Sequence, residues 1–364
     1  MPQPERADRD DLSDRDDRGE RSDRGERGER DDRDALDFAP ADDAPIEYIR
    51  RTRDWYLALG YDNPYVYAHY LDVPFQPLRK PLAQSRVTIV TTAAPYQPDK
   101  GPQGNGAPYN AAAKFYRVYS GDTARDHDLR IAHVGIDRRH ADLDDSGAWF
   151  PLPALRAAVR AGRVGELAPR FHGAPTNRSQ RHTIDVDAPE ILARCQEDGV
   201  DAAILVPNCP VCHQTLSLVA RHLERNGIAT VVMGAAKDIV EHCGVPRLLF
   251  SDFPLGNAAG RPRDPESQAV TLELALKLLE SAPGPRTTMQ SPLRWSADAS
   301  WKRDYRNLEG LTAADLARLR AENDRDKVVA QALRDAALGA EAAEGAAAAG
   351  ATRAAAAKTV ERAR

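Results

Sequence analysis

The sequence is short of cysteine, of aromatic residues and of long apolar runs. Its four cysteines, Cys195, Cys209, Cys212 and Cys243, stand among 364 residues, too few and too clustered for the disulfide framework of a secreted chain. They fit a reducing compartment. No stretch approaches the roughly 18 apolar residues of a spanning helix, and the N-terminus carries no apolar signal core. A cytoplasmic protein without a membrane partner is expected. An excess of base is missing too: 50 Lys and Arg face 55 Asp and Glu, and residues 1–34 alone, with nine Arg and fourteen acids, hold the whole net charge of −5. The balanced remainder leaves no electrostatic footprint for nucleic acid. About 330 residues suffice for one large or two ordinary domains with a full core.

What is present falls into four stretches. Residues 1–44 open with Asp-Arg and Gly-Glu-Arg units whose only aliphatics before residue 35 are Met1, Ala7 and Leu12, so they cannot offset their ordering entropy and read as a disordered charged tail. Residues 45–305 read as one α/β domain. A short amphipathic helix carrying Ile46, Ile49, Trp55 and Leu57 ends at Gly60, and a proline-broken aromatic stretch follows. Strands are then predicted at 87–92, 129–134, 202–206, 228–233 and 247–250, with helices at 152–161, 188–197, 214–225, 236–241 and 265–281. Uninterrupted apolar strands between amphipathic helices imply a doubly wound, mostly parallel sheet covered on both faces. Residues 306–335 form a helical extension, and 336–364, with 15 alanines in 29 positions, read as an Ala-rich flexible tail.

The chemistry concentrates in Ala203-Ile-Leu-Val-Pro-Asn-Cys209-Pro-Val-Cys212-His213. A Cys-x-x-Cys at the carboxyl end of a buried strand and the start of a helix meets unpaired N–H groups and the positive end of the helix dipole, which lower a thiol pKa. Cys209 is then the attacking thiolate and Cys212, one turn on, the thiol that resolves it. Three other readings fit the same string: a Cys-x-x-Cys-His haem attachment site, which requires export; a zinc site completed by His242-Cys243, which the βαβα order puts at the opposite sheet edge; and cysteines that merely pack. Ligands of such sheets bind outside the carboxyl ends of the strands. That rule selects His133 and Asp137, His213 as a neutral base in the first helical turn, Lys237, and Asp252. His133 and His213 are the proton-transfer candidates, and Asp137, Lys237 and Asp252 the substrate-binding ones. No cofactor and no metal is expected. The glycine-rich loop 94–110 lacks the Lys-Ser/Thr of a phosphate-binding loop.

These residues resemble the selenoprotein B family of glycine, sarcosine, betaine and D-proline reductases, in particular its cysteine-containing members. The resemblance is carried by Asp201-Ala-Ala-Ile-Leu-Val-Pro-Asn-Cys-Pro-Val-Cys-His-Gln-Thr, Asn226-Gly-Ile-Ala-Thr-Val, Gly244-Val-Pro-Arg and Asp252-Phe-Pro-Leu-Gly, with Tyr48-Ile-Arg-Arg-Thr-Arg and His133-Val-Gly-Ile-Asp upstream. It spans about 45–295. In that family selenocysteine heads a Sec-x-x-Cys motif and attacks a substrate carbon activated by a pyruvoyl group on a partner subunit. The resemblance implies Cys209 at the selenocysteine position and Cys212 at the resolving one. Two departures are visible: sulfur replaces selenium, and Thr215 stands where the glycine reductase pattern has a further cysteine. A thiol is the poorer nucleophile, which points to an easier leaving group or a disulfide-level substrate. The expectation is therefore a thiol-dependent reductase of a small molecule, recharged by a thioredoxin-like or low-molecular-weight thiol, acting with a partner subunit or as a homo-oligomer. The alternative is a non-catalytic redox sensor or complex subunit that uses a Cys209–Cys212 disulfide.

Overall fold

The computed structural model describes residues 44–131 and 133–362, so the N-terminal tail lies outside the described residues but for Ala44. The chain opens with α1 (Tyr48–Ala58), β1 (Arg86–Thr91), β2 (Ala94–Pro95), β3 (Tyr119–Asp122) and β4 (Leu129–Arg130). Next come α2 (Leu152–Arg160), β5 (Glu166–Leu167), β6 (Arg170–Gly173), α3 (Gln180–His182), a π-turn at Thr183–Asp187, and α4 (Ala188–Glu197). The remainder alternates: β7 (Ala202–Val206), α5 (Pro210–Arg225), β8 (Ala229–Gly234), α6 (Lys237–Cys243), β9 (Arg247–Phe250), α7 (Pro265–Ser281), β10 (Thr287–Gln290) and α8 (Ala313–Arg362).

The sheet runs β10-β9-β8-β7-β1-β6-β3, with β5 also beside β1. All its pairs are parallel except β3 against β6. Alternate side chains of the central strands serve two cores. Ile89, Ile204, Val231 and Leu249 pack with Leu152 and Leu155 of α2 and Leu272 and Leu276 of α7. Val90, Leu205, Val232 and Leu248 pack with Ile191 of α4 and Leu216 and Val219 of α5. With helices on both faces, apolar residues are required at every strand position, which is why β7 reads Ala-Ala-Ile-Leu-Val without a polar break. Burying each large aliphatic contributes roughly 1.5–3 kcal/mol. The doubly wound, mostly parallel fold read from the sequence is the one observed.

Three local differences have physical causes. The strand expected at 129–134 shrinks to the two residues of β4, which pair antiparallel with β2 away from the main sheet. The chain then turns, with the backbone N–H of Asp137 donating to the carbonyl of Leu255. Strands β3, β6 and β10 carry Ser, Gly, Arg, His, Thr and Gln, so no apolar run announced them. The helical extension expected at 306–335 starts as a helix at Ala313, and its backbone continues through the Ala-rich segment, read from the sequence as a flexible tail, as far as Arg362.

The connections locate the site. After β1 the chain builds β6 on one side, crosses to β7 on the other, and then proceeds outward through β8, β9 and β10. The order reverses at β1. The carboxyl ends of β1, β6 and β7 therefore meet at a topological switch point, where open α/β sheets leave a crevice.

Candidate active site

Cys209 is the N-cap of α5, and its Sγ accepts the backbone N–H of Cys212 at 3.3 Å. Pro210 follows at the first helical position, where its missing N–H is no loss. The turn before it is tied to β1: Thr92 Oγ1 accepts both the backbone N–H and the side-chain amide of Asn208, at 3.1 and 3.2 Å. The loop carrying His133 passes so close above that a Cβ on Gly135 would lie 2.8 Å from Pro210 Cδ. Glycine is required there by contact. Cys212 is fully buried behind Cys209, with Thr176 Oγ1 at 3.4 Å from its sulfur, and one ligand atom each of His133, Cys209 and Cys212 lie within 4.8 Å of one another.

The two thiols titrate as a pair. Burial pushes both up, and Cys209 ends well above the ordinary thiol range, held there by its neighbour as well. For Cys212, burial is outweighed by hydrogen bonding from Cys209, by the charge of His133 and by Thr176, and the thiol falls well below that range. We assign the resting charge to Cys212, with the proton retained on Cys209. The low pKa that the helix-dipole argument gave to the first cysteine thus falls on the second, because more donors converge there. Cys195 and Cys243, by contrast, are pushed up to about 12, by burial first and, for Cys195, by the charge of Asp198, as packed thiols are.

Cys209, and not Cys212, lines a cavity that offers about 40 Å³ to the centres of water molecules. That is room for a few waters or one small ligand. Its walls are unusual in charge. Lys114, Arg178 and Arg306 line it together with Tyr56, Tyr65, Tyr67 and Tyr109, and no Asp or Glu is among its described lining residues. Arg306 Nη1 is buried with no hydrogen-bond partner. Arg178 donates to the Tyr56 hydroxyl at 3.0 Å, and Lys114 to the carbonyl of Thr176. Arg178 and Arg306 both hold positive φ, 56° and 49°, a conformation that costs a side-chain-bearing residue on the order of 1–3 kcal/mol and recurs at functional sites. Burial pushes the Tyr56 phenol up, but the guanidinium charges of Arg306 and Arg178 outweigh it and bring it down to about 8. Burial, with Arg178 beside it, brings Lys114 down to about 8.

The other expected site residues go elsewhere. His213 is neutral, as expected, with burial lowering it to about 4, but both ring nitrogens are used. Nδ1 meets the Cys209 carbonyl at 2.7 Å, and Nε2 accepts the backbone N–H groups of Ala235 and Ala236 at 3.0 and 3.1 Å. It is a strut between α5 and the end of β8, not a base. Asp137 caps its own turn, accepting from the N–H groups of Arg139 and His140. Lys237 reaches Glu241 at 3.6 Å, and Asp252 pairs with the buried Lys302. None of the three lines the cavity, which forms over β1, β6 and β7 and not over β8 and β9. His242 and Cys243 end α6, where Cys243 packs with Ala68 and Leu218; the dithiol's histidine neighbour is His133 instead. Sequence reasoning missed the cavity's cations and tyrosines, which come from α1, from the aromatic segment between α1 and β1, from the loops after β2 and β6, and from the segment before α8. Only the scatter of Tyr and Arg around an otherwise aromatic-poor chain signalled them.

Comparison with known proteins gives the site its relatives. The chain is 30% identical over 226 residues to the gamma subunit of D-proline reductase from Acetoanaerobium sticklandii, covering 61% of this chain and 89% of that one. It is 26% identical over 234 residues to the gamma subunit of glycine reductase complex component B from Symbiobacterium thermophilum, and 26% over 193 residues to the beta subunit of sarcosine reductase complex component B from Peptoclostridium acidaminophilum. It spans about half the length of these last two, 52% and 43%. No family model matches the chain, and no solved structure does. No helix among the described residues is long and apolar enough to cross a membrane. With the dithiol at the switch point and a relative covered over nearly its whole length, the chain belongs to the family that holds the D-proline reductase gamma subunit and the component B subunits of glycine, sarcosine and betaine reductases.

Proposed function

We propose that this chain is the thiol-bearing subunit of a reductase that acts on a small carboxylate-bearing substrate, with Cys209 as nucleophile and Cys212 as resolving thiol. The observation that carries the reading is the division of labour in burial: Cys209 lines the cavity, whereas Cys212 lies wholly behind it against Thr176 and His133. The three cations around the cavity, with Arg306 Nη1 unpartnered, suit a carboxylate. The relatives are named for D-proline, glycine, sarcosine and betaine, each of which carries a carboxylate.

The chemistry balances as follows. Cys209 passes its proton to Cys212, and its sulfur attacks the electrophilic atom, expelling a leaving group that takes a proton from the Tyr56 hydroxyl. Cys212 yields its proton to His133 and attacks the Cys209 sulfur. The bond from Cys209 to the substrate breaks, the electron pair left on the substrate takes the proton held by His133, and Tyr56 regains its proton from solvent. One substrate, one thiol, one thiolate and one proton from solvent become one reduced product, one protonated leaving group and a Cys209–Cys212 disulfide, which a thioredoxin-like or low-molecular-weight dithiol reduces. Because the relatives are subunits of complexes, a partner subunit that activates the electrophile belongs to the same reading.

The test is thiol consumption with D-proline, glycine, sarcosine and betaine, using the full chain with dithiothreitol and, in parallel, co-purified partners. Consumption with one of them that is lost in Cys209→Ser is expected. If Cys209→Ser and Cys212→Ser both consume thiol at the wild-type rate, the reading is wrong. A defined dithiol potential without any consumption favours a redox-sensing subunit.

A further inference from the structure

We propose that Cys209, Cys212 and His133 also form a binding site for one thiophilic divalent cation of the Zn²⁺ class, with the fourth coordination position open to the cavity. The three ligand atoms lie within 4.8 Å of one another and all three residues are buried. Tetrahedral coordination by two sulfurs at about 2.3 Å and one nitrogen at about 2.0 Å needs ligand atoms separated by less than that, so a small closure of existing side chains suffices. A second observation points the same way. His133 is 6% exposed, yet its Nδ1 is buried with no hydrogen-bond partner. A buried imidazole nitrogen without a partner is costly unless something other than a protein donor or acceptor serves it.

The surroundings decide the type of site. Two thiolates cancel the charge of a divalent ion, and the cations of the cavity wall, Lys114, Arg178 and Arg306, favour an anion in the fourth position. Three protein ligands with an open position is the pattern of zinc that binds water or a further small ligand, whereas a closed four-ligand set marks a structural site. The second pair that a closed set would require, His242 and Cys243, belongs to the end of α6. Binding breaks the S–H bonds still present, releases those protons to solvent, and forms two metal–sulfur bonds and one metal–nitrogen bond. No electron is transferred. The occupied dithiol can neither attack a substrate nor close its disulfide, so the ion arrests the reductase and protects the pair from oxidation. The binding stands on the geometry alone; the arrest rests on the reductase reading above.

The experiment uses the reduced, metal-free full chain titrated with Co²⁺, whose thiolate charge-transfer and tetrahedral ligand-field absorptions report both ligand type and geometry, followed by displacement with Zn²⁺ against a chromophoric chelator. One Co²⁺ per chain is expected, with both absorptions. Cys209→Ser and Cys212→Ser should each abolish the charge-transfer band or weaken binding by about a hundredfold or more. His133→Asn should weaken it by about tenfold or more and change the ligand-field spectrum, while Cys195→Ser and Cys243→Ser leave it intact. Thermal unfolding of each variant separates lost binding from lost fold. Substoichiometric Co²⁺, or equal loss in Cys195→Ser, or an unaltered spectrum in His133→Asn, overturns the site. A chain that binds Co²⁺ in this way but consumes no thiol keeps the site and sinks the reductase. One that consumes thiol but binds no Co²⁺ does the reverse.

Discussion

At the scale of single residues, the site separates two tasks that a thiol motif alone does not distinguish. Cys209 has access and Cys212 is the side of the pair that favours the charge, so in the proposed attack Cys209 first gives up its proton, to Cys212 in the intact pair and to His133 or water where Cys212 is replaced. The cavity wall adds two titrations near the same pH. Tyr56 donates a proton only while neutral and Lys114 attracts an anion only while charged, and both are set to about 8; activity should therefore fall as pH rises through about 8. The two limbs part by mutation: Tyr56→Phe should lower kcat and remove its alkaline limb, whereas Lys114→Met should raise KM and leave that limb in kcat. A pH profile of kcat unchanged in Tyr56→Phe would exclude the phenol as donor. Arg306→Met removes a guanidinium with a spare buried donor; a charge-assisted hydrogen bond is worth about 1.5–3 kcal/mol, so KM should rise roughly ten- to a hundredfold with little change in kcat.

At the scale of elements, the strand–turn–helix unit from β7 to α5 is a clamp assembled from three strand ends. Thr92 grips Asn208, Gly135 lets the His133 loop down onto Pro210, and His213 pins the first turn of α5 to the backbone after β8. Replacing His213 by Leu leaves two buried N–H groups unpaired, so a loss of about 2–6 kcal/mol in unfolding free energy is expected by denaturant titration. A His213→Leu protein of wild-type stability would remove the strut. The clamp was half legible in the sequence. The uninterrupted β7 run and the Cys-x-x-Cys that follows it define the motif and its sheet edge, because apolar periodicity and capping are local signals. Lys114, Arg178 and Arg306 were not legible, since their convergence depends on long loops and on the segment before α8. Lys237 and Asp252 were misplaced because a rule about strand ends names an edge of the sheet, while the crevice opens only where the strand order reverses. His213 was read correctly as neutral, but the partner that uses its second nitrogen is the distant backbone of Ala235 and Ala236.

At the scale of the whole molecule, a sheet covered on both faces supports a site whose polar parts are deeply enclosed, and that enclosure makes stability depend on pH. Burial lowers His172 and His213 to about 4. Between the unfolded pKa near 6.5 and that value the unfolded chain binds protons that the folded chain refuses, so this stability is complete above pH 6.5 and is lost progressively as pH falls toward 4. Each histidine contributes on the order of 3 kcal/mol to that loss, and chemical denaturation at pH 7 and at pH 4.5 should show it; equal stability at the two values would contradict the buried neutral state. The relatives are named as subunits of reductases and reductase complexes, and a partner that delivers the electrophile to the cavity belongs to the proposed reading. The most direct test of the central claim is intact and peptide mass spectrometry of the Cys212→Ser protein isolated from cells after treatment with dithiothreitol. With the resolving thiol gone, a substrate-derived mass should remain on Cys209 and survive reduction, because a carbon–sulfur bond does. Cys209 recovered unmodified, or carrying only a mass that dithiothreitol removes, would contradict the account.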